Sequence, residues 1–134
     1  MSEAAESEPV WLTAVQLKML HADALTLFGG SPGVRGEGLL ESALGRPRHL
    51  WASGEAVTLF DVAAAYGLGI TKNHPFIDGN KRAGALGMRA FLFRNGYRFA
   101  PDQVEMVATI EGVAAGTVSQ GDLAAWLEAS STVR

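Results

Sequence analysis

His74-Pro75-Phe76-Ile77-Asp78-Gly79-Asn80-Lys81-Arg82-Ala83-Gly84 lies between two long segments of helical periodicity. Taken alone, Ile77-Asp78-Gly79-Asn80 could close a β-hairpin. The patterns on either side, helical over 58–72 and 80–95, make it a link between two helices instead. Asp78-Gly79 supplies the turn, and the second helix starts with Asn80, Lys81 and Arg82. A helix N-terminus already carries about half a positive charge and a set of unpaired N–H groups. Two cations are misplaced there unless an anion faces them.

Outward from this link, the other helix starts follow the opposite rule. Thr13 with Gln16, Thr58 with Asp61, Asp102 with Glu105 and Ser119 with Asp122 have the spacing of capping boxes. Leu12 with Leu17, Val57 with Val62 and Val118 with Leu123 could staple three of these starts. Behind the caps, apolar residues recur at helical spacing, as in Leu17, Leu20, Ala24 and Phe28. Pro9, Pro32, Pro47, Pro75 and Pro101 all fall between the periodic segments. The prediction is an all-α, single-domain bundle of about six helices, near 13–28, 37–44, 58–72, 80–95, 102–115 and 119–129. Residues 46–57, with Pro47 and Gly54, are expected to form a short flap loop or hairpin. Gly96 stops the fourth long helix ahead of a short extended stretch.

A chain of 134 residues suits one domain that buries about two-thirds of its unfolded surface. Residues 1–10, with Glu3, Glu6 and Glu8, read as a flexible acidic leader, and 11–130 as the domain. The chain has no cysteine, which excludes disulfides and thiolate metal sites. No apolar run approaches the roughly 20 residues of a membrane span, and the acidic start does not resemble a signal peptide. A cytoplasmic protein is expected. The net charge of −3 argues against non-specific nucleic-acid binding. Yet Lys72, Lys81, Arg82, Arg89, Arg94 and Arg98 share the stretch 72–98 with a single acid, Asp78. A basic region that small suits a phosphorylated small molecule.

The chemistry follows from residue types. Gly79 lets the backbone approach a ligand, and the N–H groups of Asn80 and its successors can point at one phosphate. Arg82 can grip two oxygens and Lys81 adds a point charge. His74, which Pro75 biases towards an extended backbone, can take a proton from a hydroxyl. Asp78 is a hard oxygen ligand for Mg²⁺. Singly, each has a plainer reading: a loop histidine, a common turn, a solvated charge pair. The combination within nine residues points to phosphate chemistry. His21 and His49 lack such surroundings and read as structural or surface residues; Trp11, Trp51 and Trp126 read as packing.

His74, Pro75, Phe76, Asp78, Gly79, Asn80 and Arg82 fit a His-Pro-Phe-x-Asp/Glu-Gly-Asn-x-Arg pattern, which resembles the signature of the Fic/Doc family. The closest likeness is to its Doc (death-on-curing) toxin branch. Residues 34–43, Val34-Arg35-Gly36-Glu37-Gly38-Leu39-Leu40-Glu41-Ser42-Ala43, resemble the segment before the substrate-docking flap of Doc-like proteins. The resemblance covers about residues 11–129 and implies a compact helical fold. It implies that His74 deprotonates a target hydroxyl, Asp78 holds Mg²⁺, and Asn80, Lys81 and Arg82 bind the phosphates of ATP. It also implies γ-phosphoryl transfer to elongation factor Tu, and a type II toxin–antitoxin system.

Two departures separate the chain from Fic adenylyltransferases. Lys81 replaces their glycine after the asparagine, and Ala85 stands where they have a second arginine. Both favour phosphotransfer over AMP transfer, which stays open as the alternative beside a non-catalytic nucleotide-binding module. Leu86 replaces an asparagine found in some Doc relatives. The inhibitory Ser/Thr-x-x-x-Glu-Gly/Asn helix of many Fic proteins has no match, since Val107 precedes Glu111-Gly112. The resemblance then implies inhibition in trans by a Phd-like antitoxin whose disordered segment folds onto the toxin.

Overall fold

The caps anticipated from the sequence begin helices in the computed structural model, which describes residues 8–134. Thr13 and Thr58 form complete capping boxes with Gln16 and Asp61. The Asp102 and Ser119 side chains accept from the Glu105 and Asp122 N–H groups, satisfying donors that the helices leave orphaned. Among the described residues there are six helices: α1 (Ala14–Phe28), α2 (Glu37–Ser53), α3 (Leu59–Asn73), α4 (Asn80–Arg94), α5 (Gln103–Ala115) and α6 (Gln120–Ala129). Two short strands, β1 (Tyr97–Phe99) and β2 (Ser131–Val133), pair antiparallel with Arg98 opposite Thr132. The fold is all-α, as the periodicity requires, and β1 is the extended stretch after Gly96.

Helix α3 is the centre. Ala63, Ala64, Ala65, Tyr66, Gly67, Gly69 and Ile70 are all buried, so it is apolar around its whole circumference. Helices α2, α4, α5 and α6 surround it. Its small residues set how close they come. A Cβ on Gly69 would lie 3.3 Å from the Ala43 carbonyl oxygen of α2, and on the other side Gly84 of α4 leaves room for Thr71. Tyr66 ties the N-terminal segment down: its hydroxyl accepts from the Leu12 N–H at 3.0 Å and donates to the Leu12 carbonyl at 3.4 Å. Burial pushes this phenol up to about 12, against the smaller opposing effects of Leu12 and Arg48.

Two expectations need correction. Residues 46–57 are not a flap or hairpin: α2 runs on to Ser53 with Pro47 inside it, and Gly54 closes it in a left-handed conformation. Pro47 lacks the N–H that would bond the Ala43 carbonyl. That carbonyl instead faces Gly69, and Leu40, Ala43 and Pro47 are buried. Packing against α3 outweighs the lost bond. Val57 does not staple α3 either; it is 70% exposed, and its N–H bonds the Asp61 carboxylate.

Residues 1–7 of the acidic leader lie outside the described residues, whereas Val10 exchanges two hydrogen bonds with the Asn95 side chain. The strand β2 lies beyond residue 130. No helix among the described residues is long and apolar enough to cross a membrane.

Candidate active site

The link from α3 to α4 is shaped by groups that lie elsewhere in the chain. His74 closes α3 with φ 52° and ψ 57°, the one non-glycine with positive φ among the described residues. The extended backbone expected before Pro75 is therefore not what forms. A helix that must reverse direction favours a left-handed residue after its last turn, and histidine enters that region more readily than most side chains. The strain, about 1–3 kcal/mol for a non-glycine residue, has to be met by its surroundings. Arg35 does so. Its guanidinium donates to the His74 carbonyl at 2.7 Å and to the Asn73 carbonyl at 2.8 Å, and its own N–H bonds the Pro75 carbonyl at 2.7 Å. The Asn73 and His74 carbonyls are among those that a helix end leaves unpaired.

Phe76 is buried and anchors the loop, bridged to Val34 in an isolated antiparallel pair. Asn80 folds back over it. Its Oδ1 accepts from the Phe76 N–H at 2.9 Å and its Nδ2 donates to the Phe76 carbonyl at 3.0 Å. The same Nδ2 lies 3.4 Å from His74 Nδ1, too far to fix the imidazole tautomer. The Asn80 side chain is thus occupied in closing the loop, which leaves its main-chain N–H at the helix start.

Asp78 is exposed and held by two main-chain donors. Oδ1 accepts from the Gly79 N–H at 2.8 Å and Oδ2 from the Ser31 N–H at 3.1 Å. Gly79 has φ 75°, a conformation that allows α4 to begin directly after the turn. A carboxylate has about four lone-pair sites, so Asp78 retains capacity for a cation. Among the described residues no group of three or more acidic or histidine side chains stands together. A single carboxylate suits Mg²⁺, which keeps several waters and takes other ligands from substrate phosphates.

Lys81 and Arg82 have partners of their own. The Lys81 ammonium pairs with Glu111 of α5, 2.8 and 3.0 Å from its two oxygens. Both side chains are about half exposed, so the pair contributes less than about 1 kcal/mol and a phosphate can displace it. The Arg82 guanidinium lies 4.2 Å from the centre of the exposed Phe28 ring and has no carboxylate partner among the described residues. His74, Ile77, Asp78, Gly79, Asn80, Lys81 and Arg82 line one open cleft of about 380 Å³. Beside it, Arg82 also borders a smaller hollow with Phe28, Ala85, Leu86 and Met106.

Sequence reasoning therefore located the residues of the cleft but missed what braces them. Arg35, Glu111 and Phe28 reach the site from other elements, and no local spacing announces such contacts. Read as structural or surface, His21 turns out to be buried directly beneath the loop.

Known proteins are similar to this chain in sequence. The profile of the Fic/DOC family matches residues 11–92. Protein kinase doc of Escherichia phage P1 is 33% identical over 109 residues, covering 81% of this chain and 86% of that protein. Toxin Doc of Mycolicibacterium smegmatis is 40% identical over 76 residues, covering 56% of this chain and 58% of that protein. The chain belongs to the Fic/Doc family, and within it to the Doc branch.

Proposed function

We propose that the chain is a Doc-like toxin that transfers the γ-phosphoryl group of ATP to a hydroxyl side chain of elongation factor Tu, arresting translation. One observation carries this reading: a histidine, a carboxylate and a cationic helix start share the wall of a single cleft. The likeness to a protein kinase doc supports it. In the reaction, His74 takes the proton of the attacking hydroxyl while its oxygen bonds the γ-phosphorus. The bond from that phosphorus to the bridging oxygen breaks and ADP leaves. The N–H groups of Asn80 and its successors, with the side chains of Lys81 and Arg82, hold the phosphate oxygens. Asp78 is the residue that would hold Mg²⁺, which when bound spreads the charge of the β- and γ-phosphates.

Regulation belongs to the same proposal. A Phd-like antitoxin, supplied as a separate chain, inhibits the toxin, because the inhibitory string found in many Fic proteins is absent from the sequence. Co-expression with such an antitoxin restores growth if this holds.

Incubation with elongation factor Tu and ATP labelled at either the α or the γ position tests the chemistry. Label retained from γ alone supports the reading. Retention of α label makes the chain an AMP transferase instead. No label, together with undiminished toxicity of His74→Ala, makes it a non-catalytic nucleotide-binding module.

A further inference from the structure

His21 is a buried polar side chain with no part in the reaction described above, at 5% exposure in the middle of α1. Its ring lies flat on Phe76, with centroids 3.8 Å apart and planes 8° from parallel. Its Nε2 is 2.8 Å from the Asp78 main-chain oxygen. A carbonyl only accepts, so Nε2 carries the hydrogen and donates it. Gly79 packs on the same nitrogen, where a Cβ would sit 3.6 Å away. One imidazole thus touches the loop at residues 76, 78 and 79.

We propose that His21 is a positioning residue whose Nε2–H fixes the peptide between Asp78 and Gly79, and through it the Asp78 carboxylate. The carbonyl of Asp78 and the N–H of Gly79 belong to one planar unit and point in opposite directions. Drawing the oxygen towards α1 aims the N–H away from it, and that N–H donates to Asp78 Oδ1 at 2.8 Å. Rotation of this peptide would release Oδ1 and leave the Asp78 carboxylate without the donor that sets its direction in the cleft. Stacking on Phe76 holds the loop in place, but only the hydrogen bond fixes how the peptide faces. The proposal rests on the phosphate-transfer reading for its effect on rate, and on geometry alone for its effect on the turn.

Two matched pairs separate the donor from the shape. His21→Phe keeps a stacked ring without a donor; His21→Gln and His21→Met share their length and differ in the donor. With the parent and three variants, transfer from γ-labelled ATP and amide hydrogen exchange over 74–82 are measured. The Phe and Met variants are expected to lose roughly tenfold or more in kcat/KM and to exchange faster over 74–82. The Gln variant is expected to recover both. Equal behaviour of Gln and Met, or parental turnover and exchange in His21→Phe, overturns the proposal. Should His21→Phe not fold, the Gln and Met pair decides alone. A parent that transfers no label refutes the phosphate-transfer reading, while the exchange data still decide what His21 does.

Discussion

Lys81 is engaged before any phosphate arrives, and its partner, Glu111, is a competitor for the same charge. Removing that competitor favours the nucleotide by the worth of an exposed ion pair, about 0.5 kcal/mol or near twofold in affinity. Calorimetric titration of Glu111→Gln with ATP is expected to give tighter binding by about that factor, and titration of Lys81→Ala weaker binding. Residues such as Lys81 and Arg82 were legible because a cation at a helix start violates a local electrostatic rule. His74 was legible by type but not by conformation. The rule for a residue before proline predicts extended backbone, whereas the end of α3 requires a reversal that Arg35 secures from far along the chain. Glu111 offered no signal, since nothing in its own surroundings on α5 marks it as a partner of residue 81.

At the scale of elements, caps were readable and their exceptions were not. Thr58 starts the central helix with bonds in both directions, from Asp61 N to its hydroxyl and from its own N–H to the Asp61 carboxylate. Thr58→Ala is expected to lower stability by about 1 kcal/mol in urea unfolding, with no change in nucleotide affinity. Pro47 marks where a local rule failed. Proline interrupts a helix in isolation, but the surface that α2 offers to α3 continues through it, with Ala43, Pro47 and Trp51 all packed inward. Periodicity over 46–57 is weak because Gly45, Arg46, Arg48 and His49 separate those residues. Only the opposing helix makes the segment one face.

Across the whole molecule, α3 and the N-terminal segment meet at Tyr66, and this contact has a pH signature. The phenol is raised to about 12 in the folded protein and ionises near 10 when unfolded. A raised value means that its stabilising contribution is complete below pH 10 and lost as pH climbs towards 12. Unfolding free energies at pH 9 and pH 11.5 are expected to differ by on the order of 2 kcal/mol from this group. In Tyr66→Phe that difference disappears. The all-α class was legible because helical spacing repeats along the chain, while the bracing of the site was not, because it joins α1, the 29–36 segment and α5 to one loop. Helix α1 does this twice, placing His21 beneath the loop and Phe28 beneath Arg82. These residues stand two turns apart on one side of the helix, about 10 Å along its axis. Helix α1 is therefore a ruler, and its length between those marks is fixed even where its composition is free. One alanine inserted after Ala24 turns Phe28 by about 100° relative to His21. Such a chain is expected to keep its helical circular dichroism and lose ATP affinity, whereas Asp23→Ala, which leaves the count unchanged, keeps both. For the site, the spacing along α1 counts for more than the residues that fill it.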